Sequence, residues 1–318
     1  LGSKIACIGT GTIGHSWATL FAWKGYKVNI YDENKEVVNR ALDLIKANLI
    51  NLCGIERLSK DNAEEAFKRI NVCDNLKDAL NDAWYVQESI FESYELKKPL
   101  FAEMDELTDK DVILASSTSG LVMSEIQKAV KIHPERCIIV HPWNPPHLMP
   151  LIEVAPSKIT SKDVISKTIE FMKALDKKPV LLKKESFGLI GNRLCAALWR
   201  EAIDLVSKGI ASIEDIDDVI KYGPSLRWLI MGEFLTYHLG GGLGGIRYFM
   251  EGSIGKGFRE WMKDLATWHE YPEGSVDKIE EQVKNSSRVK DKDYKELTSW
   301  RDKKLSWLIK MMKQSKDW

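Results

Sequence analysis

Residues 3–32 read SKIACIGTGTIGHSWATLFAWKGYKVNIYD. The apolar run Ile5-Ala6-Cys7-Ile8 has the length of a buried strand. A turn follows, Gly9-Thr10-Gly11-Thr12-Ile13-Gly14, and then Trp17, Leu20 and Phe21 recur at helical spacing until Gly25 stops them. A second strand, Lys27-Val28-Asn29-Ile30-Tyr31, ends on Asp32. Strand, G-x-G-x-x-G, helix, strand and acid together make a dinucleotide-binding βαβ unit. Gly9 permits a tight turn, Gly11 lets a pyrophosphate approach the backbone, and Gly14 lets the helix pack close to the strand. The free amides of the turn, those of Thr12 and Ile13 among them, and the positive end of the helix dipole favour the phosphates. The Asp32 carboxylate can accept from both ribose hydroxyls and would repel a 2′-phosphate, so NAD is expected over NADP. The alternative is a structural glycine turn that binds nothing; strand, helix and acid placed together favour the cofactor.

Working outward, residues 33–58 read as a long amphipathic helix with Asn34 as its cap, broken at Cys53-Gly54 before a second helical piece at 60–68. Strands are expected at 70–72 and 83–88, with a short helix at 76–80 between them. A helix at 96–107 leads to a strand at 112–115 and then to Ser116-Ser117-Thr118-Ser119-Gly120. After a helix at 123–129, a buried strand at 137–140 ends at His141. Strands alternating with helices mean a mostly parallel sheet with the site in the loops after its strands. Pro142, Pro145, Pro146 and Pro150 exclude helix directly after His141; a strand at 151–155, a helix at 163–175 and a strand at 179–182 close the unit. From Ser186 apolar positions recur every three or four residues with no clear strand. Glycines at 240–242 and 244–245 interrupt that pattern, and 270–293 is a polar loop with a charged helix. The expectation is an α/β fold: a Rossmann-type, mostly parallel sheet domain with a helical insert over residues 1–185, then an all-helical domain over 186–318.

Composition narrows the function. The 318 residues suffice for two domains, and 44% hydrophobic with 29% charged residues is ordinary for a globular protein. Lys+Arg and Asp+Glu are both 46, so no general attraction to nucleic acid is implied. No apolar run approaches a membrane span. The first strand begins almost at the first residue, so a signal peptide is not expected. The five cysteines are scattered without metal-ligand spacing; Cys7 and Cys137 lie in apolar strands, and buried free thiols in a reducing cytoplasm are expected.

Five polar residues stand where a dehydrogenase needs them. His141 follows a buried strand. Glu153 lies inside an otherwise apolar one, where a carboxylate is costly unless partnered. An imidazolium is a suitable partner, and the carboxylate would fix the histidine's tautomer and raise its proton affinity. Oxidising a secondary alcohol requires loss of the hydroxyl proton, which a histidine can take near neutral pH. Ser119 and Asn144 can hydrogen-bond substrate or histidine, and Asn192 would face the cleft from the start of the second domain. Four of them have a plainer reading: His141 as a satisfied core histidine, Glu153 as a structural ion-pair acid, Ser119 and Asn192 as helix caps.

These residues bring a resemblance. Over essentially its full length the chain resembles the L-3-hydroxyacyl-CoA dehydrogenase superfamily. The motifs are Gly9-Thr10-Gly11-Thr12-Ile13-Gly14, Ser116-Ser117-Thr118-Ser119, His141-Pro142-Trp143-Asn144-Pro145, Glu153 and Gly191-Asn192-Arg193-Leu194. The resemblance implies that His141 is the base and that Glu153 orients it. It implies that Ser119, Asn144 and Asn192 touch substrate or hold the histidine, that Glu92 and Lys97 lie on the cofactor side, and that the helical domain makes a homodimer. Residues 223–232 lack the Gly-Pro-Phe-like motif of the acyl-CoA enzymes. With residues 244–249 they look like the branches acting on free 3-hydroxy acids, the L-carnitine dehydrogenases and the L-gulonate 3-dehydrogenases related to lambda-crystallin. The insert also holds little positive charge for a CoA phosphate beyond Lys46, although Arg40, Arg57 and Lys60 flank it. A quaternary ammonium substrate calls for aromatic faces, worth about 0.5–2 kcal/mol each. Trp143, Trp199, Trp228 and Tyr237 are candidates, with Arg227 (or Arg193 or Arg247) for a carboxylate. The plainer reading makes these aromatics packing or interface residues. The expected function is NAD-dependent oxidation of a free L-3-hydroxy acid, carnitine foremost. The alternatives are L-gulonate, a 3-hydroxyacyl-CoA thioester, or a non-catalytic crystallin-like protein.

Overall fold

A computed structural model of the chain describes residues 2–55 and 58–314; Arg57 lies outside the described residues, and the helix expected at 33–58 ends at Gly54. In chain order the first elements are β1 (Lys4–Ile8), α1 (Gly14–Trp23), β2 (Lys27–Tyr31), α2 (Lys35–Gly54), α3 (Lys60–Phe67), β3 (Ile70–Val72), α4 (Leu76–Leu80), β4 (Tyr85–Glu88) and α5 (Tyr94–Leu107). They continue with β5 (Ile113–Ser116), α6 (Met123–Ile126), β6 (Cys137–Pro142), β7 (Leu151–Ala155), α7 (Lys162–Ala174) and β8 (Lys178–Leu181). The remainder is helical: α8 (Gly191–Ser207), α9 (Ile213–Tyr222), α10 (Pro224–Gly240), α11 (Gly245–Glu251), α12 (Ser253–Asp264), α13 (Ser275–Asn285) and α14 (Tyr294–Gln314). Asn34 caps α2 by accepting from the Glu36 amide at 2.9 Å.

Among the described residues the strands form one sheet in the order β3-β2-β1-β4-β5-β6-β7-β8. The reversal on either side of β1 is the doubly wound switch point, where ligands bind beyond the strands' C-terminal ends. Both faces are covered, which explains the unbroken apolar runs. Ile5 and Cys7 pack with Trp17, Phe21 and Phe171 on one side. Ala6 and Ile8 pack with Phe101 and Met104 on the other. Cys7 and Cys137 are buried free thiols, and burial pushes the pKa of both well up.

One pairing runs the other way. β6 and β7 are antiparallel, with His141 directly opposite Glu153. The proline-rich stretch between them is too short for the crossover that a parallel pair needs, so the chain folds back and sets these two residues side by side.

The described residues divide into two compact units: one runs to Arg193 and takes in the segment from Thr298, and the other is Leu194–Leu297. The last segment carries most of the long helix α14. That helix has one covered face, with Asp302, Ser306 and Ile309 buried at helical spacing. The expected boundary near residue 185 falls between β8 and α8.

A buried ion pair links α5 to the entry of β6: Arg136 donates to Asp105 Oδ1 at 2.7 Å, and the Ile132 amide donates to Oδ2 at 2.8 Å. Burial pushes the Asp105 pKa up, but the Arg136 hydrogen bond, the Ile132 amide, the Arg136 charge and the His133 amide outweigh it and hold the carboxyl below its usual range. The pair therefore stabilises the fold fully above the unfolded pKa of about 3.9, and this is lost as pH falls through the folded value. The urea midpoint should drop on acidification from about pH 5 to pH 3, and Asp105→Asn should lower the midpoint at neutral pH and shallow that drop. An unchanged slope would remove Asp105 as a cause.

Candidate active site

The glycine turn has the geometry a dinucleotide needs. Gly9 has φ +84°, and a Cβ there would lie 2.7 Å from the Ser89 carbonyl carbon. A Cβ on Gly14 would lie 1.8 Å from the Gly9 carbonyl oxygen, so α1 rests directly on the turn. A Cβ on Gly11 would meet nothing within 4 Å, which leaves its backbone open to a ligand. Thr12 is exposed and Ile13 half-buried at the start of α1, where the first amides have no partner within the helix. Asp32 is held at the end of β2 by the amides of Thr10 (2.8 Å, to Oδ2) and Asn34 (3.1 Å, to Oδ1). A carboxylate offers about four lone-pair sites, so acceptors remain for a ribose. These residues fit NAD.

Sequence reading missed His15, whose Nδ1 lies 2.7 Å from the Gly11 carbonyl oxygen in the first turn of α1. Burial lowers its pKa against the pull of that hydrogen bond, and Arg40 lowers it further.

His141 and Glu153 meet across β6 and β7. His141 Nδ1 is 3.0 Å from Glu153 Oε2, with the residues 7% and 2% exposed. Glu153 Oε1 accepts from the amides of Ile190 (2.9 Å) and Gly191 (3.0 Å). Burial pushes the Glu153 pKa up, but the His141 hydrogen bond, the two amides and the His141 charge outweigh it and keep the carboxyl below its ordinary value. An ionised Glu153 only accepts, so in the neutral ring the proton sits on Nδ1 and the lone pair on Nε2. Among the described residues no hydrogen bond to Nε2 occupies it.

The amides reach Glu153 because the backbone reverses just before α8: Gly188 has φ +75° and Leu189 φ +52°, a strained value for a buried leucine. Sequence reading also missed Gly191, although it sits within a quoted motif. A Cβ there would fall 2.5 Å from Cζ2 of Trp143 and 3.2 Å from Glu153 Oε2. Gly191→Ala should therefore cost about 1–3 kcal/mol of stability and lower kcat, read by urea midpoint and initial rates; wild-type values in both would show that the contact is not needed.

Ser119 and Asn192 come together: Asn192 Nδ2 donates to the Ser119 carbonyl oxygen at 2.7 Å, and among the described residues its second amide hydrogen has no acceptor. Glu92 organises the Ser119 loop by accepting at Oε1 from Thr118 Oγ1 (2.6 Å), Ser119 N (2.9 Å) and Gly120 N (2.8 Å). Burial raises the Glu92 pKa, yet these bonds and the Lys97 charge hold it below its usual value. Lys97 is 1% exposed and donates to Glu88 at 2.6 Å and to the Ile90 carbonyl at 3.2 Å. Its ammonium is engaged inside the protein, where it fixes the turn after β4. Asn144 is exposed, and Trp143 is half-buried against Gly191.

Residues 4–186 match the family model for the 3-hydroxyacyl-CoA dehydrogenase NAD binding domain, and residues 188–282 match that for the C-terminal domain. The chain belongs to the 3-hydroxyacyl-CoA dehydrogenase family. It is an NAD-dependent oxidoreductase acting on a CH–OH group. The L-carnitine dehydrogenase of Oceanobacillus iheyensis is 38% identical over 251 residues, 78% of this chain and 79% of that one. The L-carnitine dehydrogenase of Bacillus cereus strain ZK / E33L is 40% identical over 250 residues, 78% of this chain and 74% of that one. Among solved structures, the (S)-3-hydroxybutyryl-CoA dehydrogenase PaaH1 from Ralstonia eutropha superposes with TM-score 0.65 at 26% identity, covering 75% of this chain and 82% of its own. A 5-formyl-3-hydroxy-2-methylpyridine 4-carboxylic acid 5-dehydrogenase shares the fold with TM-score 0.82 at 24% identity, covering 99% and 100%.

In this family member the remaining substrate candidates belong to Leu194–Leu297. Trp199 on α8 is 54% exposed, while on α10 Arg227 is exposed and Trp228 half-buried. Tyr237 packs against Phe249 and Phe258 with ring centroids at 4.8 and 5.4 Å, which is the packing role. Among the described residues no His, Cys, Asp and Glu group could hold a metal, and no helix is long and apolar enough to cross a membrane.

Proposed function

We propose that this enzyme oxidises a free L-3-hydroxy acid, and that the acid is L-carnitine, yielding 3-dehydrocarnitine. The observation that carries the reaction is the buried His141–Glu153 pair with Nε2 available. Bound NAD supplies the acceptor for hydride. The chain supplies the proton chemistry: Nε2 of His141 takes the substrate's hydroxyl proton, and Glu153 stabilises the imidazolium that forms. The second amide hydrogen of Asn192 polarises the developing carbonyl, and the Ser119 hydroxyl joins it by turning from Glu92 Oε1, to which it donates at 3.3 Å, with Asn144 alongside. Identity of 38% and 40% to L-carnitine dehydrogenases favours carnitine among the hydroxy acids. So does the supply of tryptophan: Trp143, Trp199 and Trp228 offer faces for a trimethylammonium group, and Arg227 offers a fork for the carboxylate. The second domain is read as starting near residue 186 and as forming a homodimer.

NADH formation with L-carnitine, L-gulonate and 3-hydroxybutyryl-CoA decides the substrate. Carnitine should turn over fastest, and turnover of the thioester alone would end the free-acid reading. NADP should serve far worse than NAD, and Asp32→Ala should narrow that gap by removing the charge that repels a 2′-phosphate. A wild-type preference for NADP would contradict the role given to Asp32.

A further inference from the structure

The polar cluster behind the glycine turn has its protons in a forced order. Gln87, wholly buried on β4, has Nε2 3.4 Å from the Val140 carbonyl oxygen, which can only accept; this fixes which end of the amide faces which way. Its Oε1 accepts from the Tyr85 hydroxyl at 2.7 Å. Its Nε2 then donates to Ser117 Oγ at 2.8 Å, and buried Trp17 Nε1 donates to the same oxygen at 3.2 Å. A hydroxyl oxygen has two lone pairs and one proton. Both lone pairs of Ser117 are taken, so its proton goes to its remaining neighbour, Ser89 Oγ, at 2.8 Å. Ser89 Oγ is thereby an acceptor, and its own proton has no acceptor among the described residues.

Ser89 follows β4 and lies against the cradle. Its carbonyl carbon is 2.7 Å from where a Cβ on Gly9 would stand, and its Cβ is 3.5 Å from the corresponding point at Gly14. In the sheet, β2 with Asp32 lies on one side of β1 and β4 with Ser89 on the other. A dinucleotide whose adenosine ribose is held at Asp32 crosses the turn and brings its second half over β4.

We infer that Ser89 is a cofactor-binding residue: its hydroxyl donates a hydrogen bond to the part of NAD beyond the adenosine monophosphate. Ser117, Gln87 and Trp17 are positioning residues that aim this proton. The buried amide and indole hold the direction before any ligand arrives, so binding need not first reorient the hydroxyl. The inference rests on NAD binding and not on the choice of substrate.

Binding measurements without substrate test it: NADH fluorescence titration, with ADP-ribose and AMP as competitors. Ser89→Ala should weaken NADH and ADP-ribose by about five- to tenfold, the scale of one hydrogen bond, and leave AMP within about twofold. Ser117→Ala keeps the Ser89 hydroxyl without its aim and should weaken ADP-ribose by about two- to fivefold, again sparing AMP. The double variant should bind ADP-ribose no worse than Ser89→Ala alone, because the two residues act in series. Unchanged ADP-ribose affinity in either single variant would overturn the inference. So would equal weakening of AMP, which would mark a distorted turn and not a lost donor. AMP also reports whether each variant still forms the cradle.

Discussion

Replacing His141 with glutamine is expected to lower kcat by about 10²–10⁴-fold and to leave NADH binding close to wild type. Glutamine fills similar space and can face Glu153 with its amide, but it has no basic nitrogen at this pH. The imidazole sits on β6 with Nδ1 committed to Glu153, so the other ring nitrogen is the only part of it that can take a substrate proton. The glycine turn is made by β1, α1 and the Ser89 backbone, none of which needs His141. Initial rates and an NADH titration on the same preparation separate the two effects. A variant that loses NADH binding together with turnover would assign His141 a structural role.

Glu153→Gln should come close to the same loss, on the order of 10²–10⁴-fold in kcat, for a different reason. The amides of Ile190 and Gly191 donate to one oxygen of Glu153. In the variant they hold the glutamine carbonyl, which turns the NH₂ toward His141. Nδ1 must then accept, the ring proton moves to Nε2, and the lone pair that the reaction needs disappears. The side chain stays nearly isosteric, so the unfolding midpoint should move little compared with kcat. A rise in KM alone would mean that Glu153 shapes the substrate pocket without setting the tautomer. A large fall in stability with kcat intact would make it a fold residue.

Legibility followed the distance over which the physics acts. The βαβ unit at residues 3–32 was readable because every part is local: glycines at a turn, a helix start, and an acid ending the next strand. Short apolar strands alternating with helices announced a mostly parallel sheet. Asn34 as a helix cap and the break at Gly54 were readable for the same reason. His141 and Glu153 could be paired as a chemical expectation, since a carboxylate in an apolar strand needs a partner. The short connection already demands an antiparallel return, but the register that sets His141 opposite Glu153 was not readable, because it is fixed only when the two strands dock. Lys97 could be singled out, but that its ammonium turns inward to Glu88 is decided by packing around α5.

From the chain alone came what local chemistry determines: a nucleotide-binding turn, an acid suited to NAD, an alternating sheet domain followed by helices, and a histidine with a carboxylate to serve it. Tertiary structure decided what depends on contacts between distant segments. It brought the strained loop at 188–189 under Glu153 and pressed Trp143 onto Gly191, leaving no room for a side chain there. It aimed the Ser89 hydroxyl by filling both lone pairs of Ser117 from two buried donors. The reason is common to all three. A hydrogen-bond direction or a missing methyl's worth of space is set by atoms converging from several elements, and such convergence leaves no periodicity in the sequence.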